Sequence, residues 1–342
     1  MSEIYKLETY SSFGSVVATG KFKQQPADFK VVEILSFTLT GEGDHVYLFI
    51  EKTACNTDWV AAELAKLTGL KPVDVGYAGK KDRHAVTRQW FSLHMPNQQE
   101  PDWAELPNEI TVLEKTRHNK KLRTGSIEKN VFDLAVCDVS GDEAEIERRL
   151  QLIKSRGFPN YFGPQRFGNQ CANVYKLVGT IKGRRRMSKT QRSMCISSAR
   201  SYLFNQILNK RVRQGNWNQA ISGDVMALQG SRSIFVPDEA LAQTIVNRIA
   251  VHDIHPAAVM WGRGEIKTTL QAREIENNVI DAYPDLIAAL NKAGVDMAYR
   301  SMRVVVPDLT WVLKNNRLTL HFSLDSGAYA TALLNEFILL SS

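Results

Sequence analysis

The chain has 342 residues, and its 43 Lys and Arg against 36 Asp and Glu leave a formal net charge of +7, with 44% hydrophobic and 23% charged residues. That balance excludes a disordered chain, a collagen and a coiled coil. Single cores rarely grow beyond about 250–300 residues, so two domains are expected.

The opening Met1-Ser2-Glu3-Ile4-Tyr5-Lys6-Leu7-Glu8 has charges where an export signal needs an apolar core. The β-branched and aromatic runs Phe29–Leu35 and His45–Ile50 flank the turn-forming Gly41-Glu42-Gly43-Asp44 and read as a strand pair. Asn56 or Thr57 can cap a helix with Trp59, Val60, Leu64 and Leu67 on one face, stopped by Gly69 and Pro72. Strand patterns follow at 86–94, 110–116 and 131–138. Asp142 and Glu145 form a capping box for a helix carrying Ile146, Leu150 and Ile153, which Gly157 and Pro159 end.

From about 158 the texture becomes helical, with a long helix expected over 188–213, closed by Gly215, and others near 237–249, 268–280 and 284–293. Ile234-Phe235-Val236 is a lone strand signal. Strand patterns return at 303–306 and 317–322, before a last helix carrying Ala332, Leu333 and Phe337. The expected organisation is a sheet-rich domain of residues 1–157 plus 304–342, interrupted by an inserted domain of residues 158–303.

No apolar run approaches the roughly 18 residues needed to cross a bilayer. Cys55, Cys137, Cys171 and Cys195 form no Cys-x-x-Cys pair, and neither they nor His252 and His255 have zinc-site spacing. A soluble, cytoplasmic protein with reduced thiols, no membrane association and no metal is the expectation.

Positive charge is clustered in three blocks: Arg117, His118, Lys120, Lys121 and Arg123; Lys182, Arg184, Arg185, Arg186, Lys189 and Arg192; and Arg200, Lys210, Arg211 and Arg213. One block is ordinarily a solvated face. Three together favour a polyanion, whose binding would weaken steeply with salt.

The densest chemical candidate is the stretch Gly76 to Trp90, where Asp82 stands among Lys80, Lys81, Arg83, His84 and Arg88. Neighbouring cations favour the ionised carboxyl, a state suited to a nucleophile or to stabilising a cation, while Lys81, Arg83 and Arg88 could hold phosphates. A P-loop is excluded, because Asp74 stands where its first Gly belongs and Lys81 where its Ser or Thr belongs.

The order Gly79-x-Lys81-Asp82-Arg83-His84-Ala85-x-Thr87-x-Gln89 resembles the signature of the TruD family of tRNA pseudouridine synthases. Pro26 to Glu33 resembles the family's first motif, Pro159 to Gly168 the one opening its insertion domain, Ser198 to Asn205 its internal helix, and Gly327-Ala328-Tyr329-Ala330-Thr331 its closing motif. Asp325 and Asn335 depart from the family pattern, where Pro and Arg are common.

The resemblance implies an α/β (α+β) fold: a pseudouridine synthase-type catalytic domain with a mixed, mainly antiparallel sheet, interrupted by a largely helical TRUD domain. It implies isomerisation of a flipped-out uridine in tRNA, at position 13, with no cofactor and no metal. The essential aspartate maps onto Asp82, acting at the ribose or at the uracil ring. Lys81 and Lys23 assist through charge, Phe29, Tyr329 and Phe132 fall in the substrate site, and Asn130 holds the nucleotide or caps the turn before its strand. Arg83, Arg88, Arg184, Arg185 and Arg186 are candidates for the RNA backbone. Phe162, Gly163, Gln165, Arg166 and Phe167 are expected to build the interdomain join. The partner is tRNA and a monomer is expected. The rival reading is an RNA-binding or RNA-folding protein that would work equally well without Asp82.

Overall fold

Alternation in Val46-x-Leu48-x-Ile50 sends three large aliphatic side chains to one sheet face, where the apolar stripe of the following helix can cover them. The computed structural model, which describes residues 4–96, 99–181, 183 and 187–341, is built outward from this pairing. In chain order come β1 (Ala18–Phe22), β2 (Phe29–Leu35), β3 (His45–Thr53), α1 (Thr57–Thr68), β4 (Gly76–Tyr77), β5 (Val86–His94), β6 (Ile110–His118) and β7 (Ile127–Gly141). Then follow α2 (Glu143–Arg156), β8 (Phe158–Pro159), α3 (Ala172–Gly179), α4 (Lys189–Arg213), β9 (Val225–Leu228), β10 (Ile234–Phe235), α5 (Gln243–Ala250), β11 (Ile254–Met260), α6 (Leu270–Ile280) and α7 (Pro284–Ala293). The chain closes with β12 (Ala298–Ser301), β13 (Arg303–Val304), β14 (Thr310–Lys314), β15 (Arg317–Asp325), α8 (Ala330–Leu334) and β16 (Ile338–Ser341).

These elements form two compact units. The sheet-rich unit comprises Val17–Ile146, Val306–Gly327 and Ile338–Ser342. Its sheet has 10 strands in the order β14-β15-β7-β2-β5-β3-β6, with β1 between β7 and β16 and with β4 on β5. The β2–β5 and β1–β16 pairs are parallel and the rest antiparallel, so the sheet is mixed and mainly antiparallel, as expected. Val60, Ala61, Leu64 and Ala65 of α1 pack on Val46, Leu48, Ile50, Phe91 and Leu93. Gly69 ends α1 at φ +69°, a left-handed conformation that glycine adopts without strain.

The other unit comprises Met1–Val16, Glu147–Val305 and Ala328–Phe337. It contains α3 to α8, a four-stranded sheet ordered β10-β9-β11-β12 and the β8–β13 pair. Ser188 and Gln191 form the capping box of the long helix α4. Its inward face carries Phe204, Ile207, Leu208 and Arg211, all buried.

Several elements differ from the sequence reading. The four-stranded sheet is larger than one strand signal suggested, because β11 is buried along nearly its whole length and shows no alternation. The segment read as a helix over 237–249 is helical only from Gln243. Phe337 lies beyond the last helix, and the apolar run after it is β16, paired parallel with β1. Among the described residues no helix is long and apolar enough to cross a membrane.

Candidate active site

The segment Ala78 to Ala85, between β4 and β5, has no regular secondary structure, so its shape has to come from specific bonds. Gln89 of β5, fully buried, donates from Nε2 to the Gly79 carbonyl at 3.1 Å and accepts at Oε1 from the Thr57 hydroxyl at 3.0 Å. The same Thr57 oxygen accepts the Lys81 N–H at 3.0 Å. The N-terminus of α1 thus fixes the backbone immediately before Asp82.

The Asp82 backbone is held from the other side by Lys52, the last inward-facing residue of β3. Its fully buried ammonium donates to the Asp82 carbonyl at 2.9 Å and to the Cys55 carbonyl at 2.6 Å. Burial pushes the Lys52 amine below its usual range. Two carbonyl dipoles stabilise the charge that burial disfavours.

Two lysine–carboxylate pairs flank this loop, and their surroundings set them apart. Lys81 Nζ meets Glu33 Oε2 at 2.5 Å, with side-chain exposures of 7% and 0%. Burial raises the Glu33 carboxyl, and the Lys81 ammonium and the Trp90 N–H reverse only part of this. A sealed pair of this kind fixes geometry. Lys23 meets Asp82 Oδ2, with exposures of 22% and 20%. Burial alone would raise the Asp82 carboxyl, but the hydrogen bond and charge of Lys23 and the His84 N–H, 2.9 Å from Oδ1, outweigh it and hold it below the usual range. The result is an ionised carboxylate with access to solvent.

Lys23 follows β1 in a left-handed conformation, φ +58°, uncommon for a residue with a Cβ. Its ammonium lies 4.0 Å from the centroid of the Phe29 ring, a cation–π contact. Phe29 is 8% exposed and packs against Phe132 at 6.1 Å, and Phe132 stacks on Phe322 at 5.4 Å and 18°. Asn130 pairs in register with Glu33 on β2 and Leu324 on β15. It lies inside β7 and not at a turn before it. Its Oδ1 is buried without a hydrogen-bond partner, leaving an acceptor for a donor that the chain does not supply.

The structure therefore gathers Lys23, Phe29, Lys81, Asp82, Asn130 and Phe132 into one corner of the sheet-rich unit. Arg83 is exposed beside Asp82. Arg88 is ion-paired with Glu51 at 2.7 Å. Tyr329 belongs to the other unit, where its ring lies 6.1 Å from that of Phe162 and against Gly163, where a Cβ would come within 2.9 Å of it. Arg184, Arg185 and Arg186 lie outside the described residues. Among the described residues no three His, Cys, Asp or Glu side chains are grouped as a metal site groups them.

Sequence reasoning missed Lys52, Thr57 and Glu33 as parts of the site. The signal for Lys52 was available: it continues the inward series Val46, Leu48, Ile50, where a lysine must find internal partners.

Comparison with known proteins identifies the family that the chain resembles. The sequence pattern of the family described as tRNA pseudouridine synthase D (TruD) matches residues 8–182 and 180–337. The chain is 41% identical over 329 residues to a tRNA pseudouridine synthase D of Hydrogenovibrio crunogenus, covering 95% of this chain and 94% of the relative. It is 40% identical over 328 residues to a protein of the same name from Methylococcus capsulatus, covering 95% and 92%. A crystal structure from Methanosarcina mazei, titled as a tRNA pseudouridine synthase D (TruD), has the same fold, with a TM-score of 0.76 over 98% of both chains at 18% identity.

Proposed function

Since the chain belongs to the tRNA pseudouridine synthase D (TruD) family, we propose that it isomerises uridine to pseudouridine at position 13 of tRNA, with Asp82 as the nucleophile. The bond from ribose C1′ to uracil N1 breaks and a bond from C1′ to C5 forms, while C5 gives up a proton and N1 takes one. Every atom is conserved, so the reaction needs no redox partner.

The observation that carries this reading is the ionised, solvent-reached carboxylate of Asp82, fixed at its backbone by Thr57 and Lys52 and at its side chain by Lys23 and His84. A carboxylate so placed can take up the positive charge that develops at C1′, or add to the ring at C6. A stacked uracil offers neither atom, so the base must be extruded into a pocket. Phe29 and Phe132 are assigned to that pocket, with the open Oδ1 of Asn130 accepting a hydrogen bond from the nucleotide, and Tyr329 keeps the substrate-contacting role that the family resemblance gives it. Lys81 acts indirectly, by locking the loop onto Glu33. Arg83, and Arg88 when released from Glu51, are assigned to the RNA backbone. The catalytic domain is drawn as residues 1–157 plus 304–342 and the TRUD domain as 158–303, working as a cytoplasmic monomer.

The test is incubation with unmodified tRNA transcript, followed by chemical mapping of pseudouridine. Wild type is expected to give product at position 13, and Asp82→Asn to bind the transcript and give none. Product from the variant would remove the nucleophile, and binding without product from wild type would favour the non-catalytic RNA-binding reading.

A further inference from the structure

The first basic block of the sequence is not used by the site at Asp82. Arg117 is occupied by Glu100 at 3.3 Å, and Lys121 Nζ donates to the Val73 carbonyl at 2.7 Å. Lys120 and Arg123 are exposed and have no ion-pair partner among the described residues. Both border a cavity of about 830 Å³ between the β2–β3 and β6–β7 connections, with His45 and Tyr47 of β3 in its lining. That volume lies in the range of small-molecule sites.

The walls are built. Phe37 stacks on His118, with ring centroids 5.1 Å apart and 28° between the planes, and Tyr47 meets His118 edge-on at 5.4 Å. The Tyr47 hydroxyl donates to the Lys120 carbonyl at 2.9 Å. The Leu122 N–H donates to Ser92 Oγ at 2.9 Å, and the Gly125 N–H to the Ala78 carbonyl at 2.8 Å. A Cβ on Gly43 would stand 2.6 Å from the His118 carbonyl, so the two connections approach as closely as backbone allows. Burial lowers the pKa of both His45 and His118. The rings therefore present neutral π-faces, and the positive charge comes from the lysines and Arg123.

Flat neutral rings beside open cations match the two halves of a nucleotide, a base and its phosphate. We propose that this cavity holds one nucleotide of the RNA substrate, its base against Phe37 and His118 and its phosphates on Lys120 and Arg123. The cavity is not the uridine site. Tyr47 and Lys52 point to opposite faces of β3, and His45 and Lys52 stand about 23 Å apart along it at the rise of a strand. The nucleotide bound there is therefore not the target uridine, although the Gly125–Ala78 bond ties the wall of the cavity to the loop that carries Asp82. This inference rests on the reading of the protein as a tRNA-modifying enzyme, but its test does not depend on turnover.

Fluorescence anisotropy of labelled transcript over a range of salt reads the site directly. The Lys120→Ala/Arg123→Ala double variant is expected to bind roughly ten-fold more weakly and to lose up to about 1.8 from the slope of log K against log salt, two phosphate contacts' worth. Phe37→Leu keeps apolar bulk and removes the ring, and is expected to weaken binding roughly ten-fold with the slope unchanged. In pseudouridine formation the losses fall on KM. Wild-type affinity and slope in both variants would overturn the proposal. So would micromolar binding of free UMP or AMP in the cavity without competition from transcript, which would mark a site for a free nucleotide. If wild type made no pseudouridine while the variants still lost affinity, the proposed reaction would fall and the cavity would stand.

Discussion

Sealed cations of the helical unit contrast with open cations of the sheet-rich unit. In the helical unit Arg211 is sealed, 3% exposed against 1% for its partner, with a two-pronged bond to Asp224 at 2.7 and 2.9 Å and further bonds to the Asn216 and Gln219 carbonyls. Arg200 bonds to the Met260 and Asp296 carbonyls, and Arg303 to that of Ile249. In the sheet-rich unit Lys23 keeps access to solvent at Asp82, and Lys120 and Arg123 are open. A cation in a block of like charge can therefore be framework or working surface, and the helix or strand period decides which. Arg211 reads as part of a basic patch, yet it continues the inward series Phe204, Ile207, Leu208.

The largest expected effect tests the closed side of this contrast. Arg211→Ala leaves the buried Asp224 carboxylate without its cation, with only the Ile221 N–H among the described residues still donating to it, which should cost about 3–5 kcal/mol of stability by urea unfolding. The salt slope of RNA binding should not change. A slope that fell with stability intact would place Arg211 on the RNA surface and break the comparison.

A smaller effect is expected at Lys52, a buried cation that serves the site. Moving the Asp82 backbone by a fraction of an ångström should lower kcat roughly 10- to 100-fold in Lys52→Met with KM little changed, and Lys52→Arg should recover part of the loss. Single-turnover kinetics separates this from a general loss of fold. Equal loss of kcat in both variants with reduced stability would make Lys52 purely structural.

The parts of the molecule that could be read in advance share a physical reason. The span of β5, the length of α4 and the Asp142 cap of α2, whose Oδ1 accepts the Ala144 N–H at 3.0 Å, follow from local alternation and capping chemistry. β1 and β16 pair across some 320 positions of sequence, as Ala18 with Ile338, and nothing local announces them. β11 hides because burial on both faces erases its period. At the site, Asp82 and Lys81 are legible as a motif, and Gln89 as its last member. Why Gln89 is needed appears only when α1 brings Thr57 against it. Glu33 falls on the inward face of β2 with Phe29 and Val31, but its partner Lys81 comes from a loop far along the chain and is seen only in the structure.

The central claim is that Lys23 and the loop hold Asp82 as an anion in reach of substrate. A carboxyl held low in the folded state contributes stability above its unfolded pKa and loses it as pH falls through the folded one. Carbon-13 NMR titration of the Asp82 carboxyl, assigned by its loss in Asp82→Asn, measures this directly. The wild-type group should titrate below the usual carboxylate range, and in Lys23→Met, where burial acts unopposed by the ammonium, its titration should move upward. A wild-type carboxyl titrating above the usual range, or one indifferent to the loss of Lys23, would contradict the account.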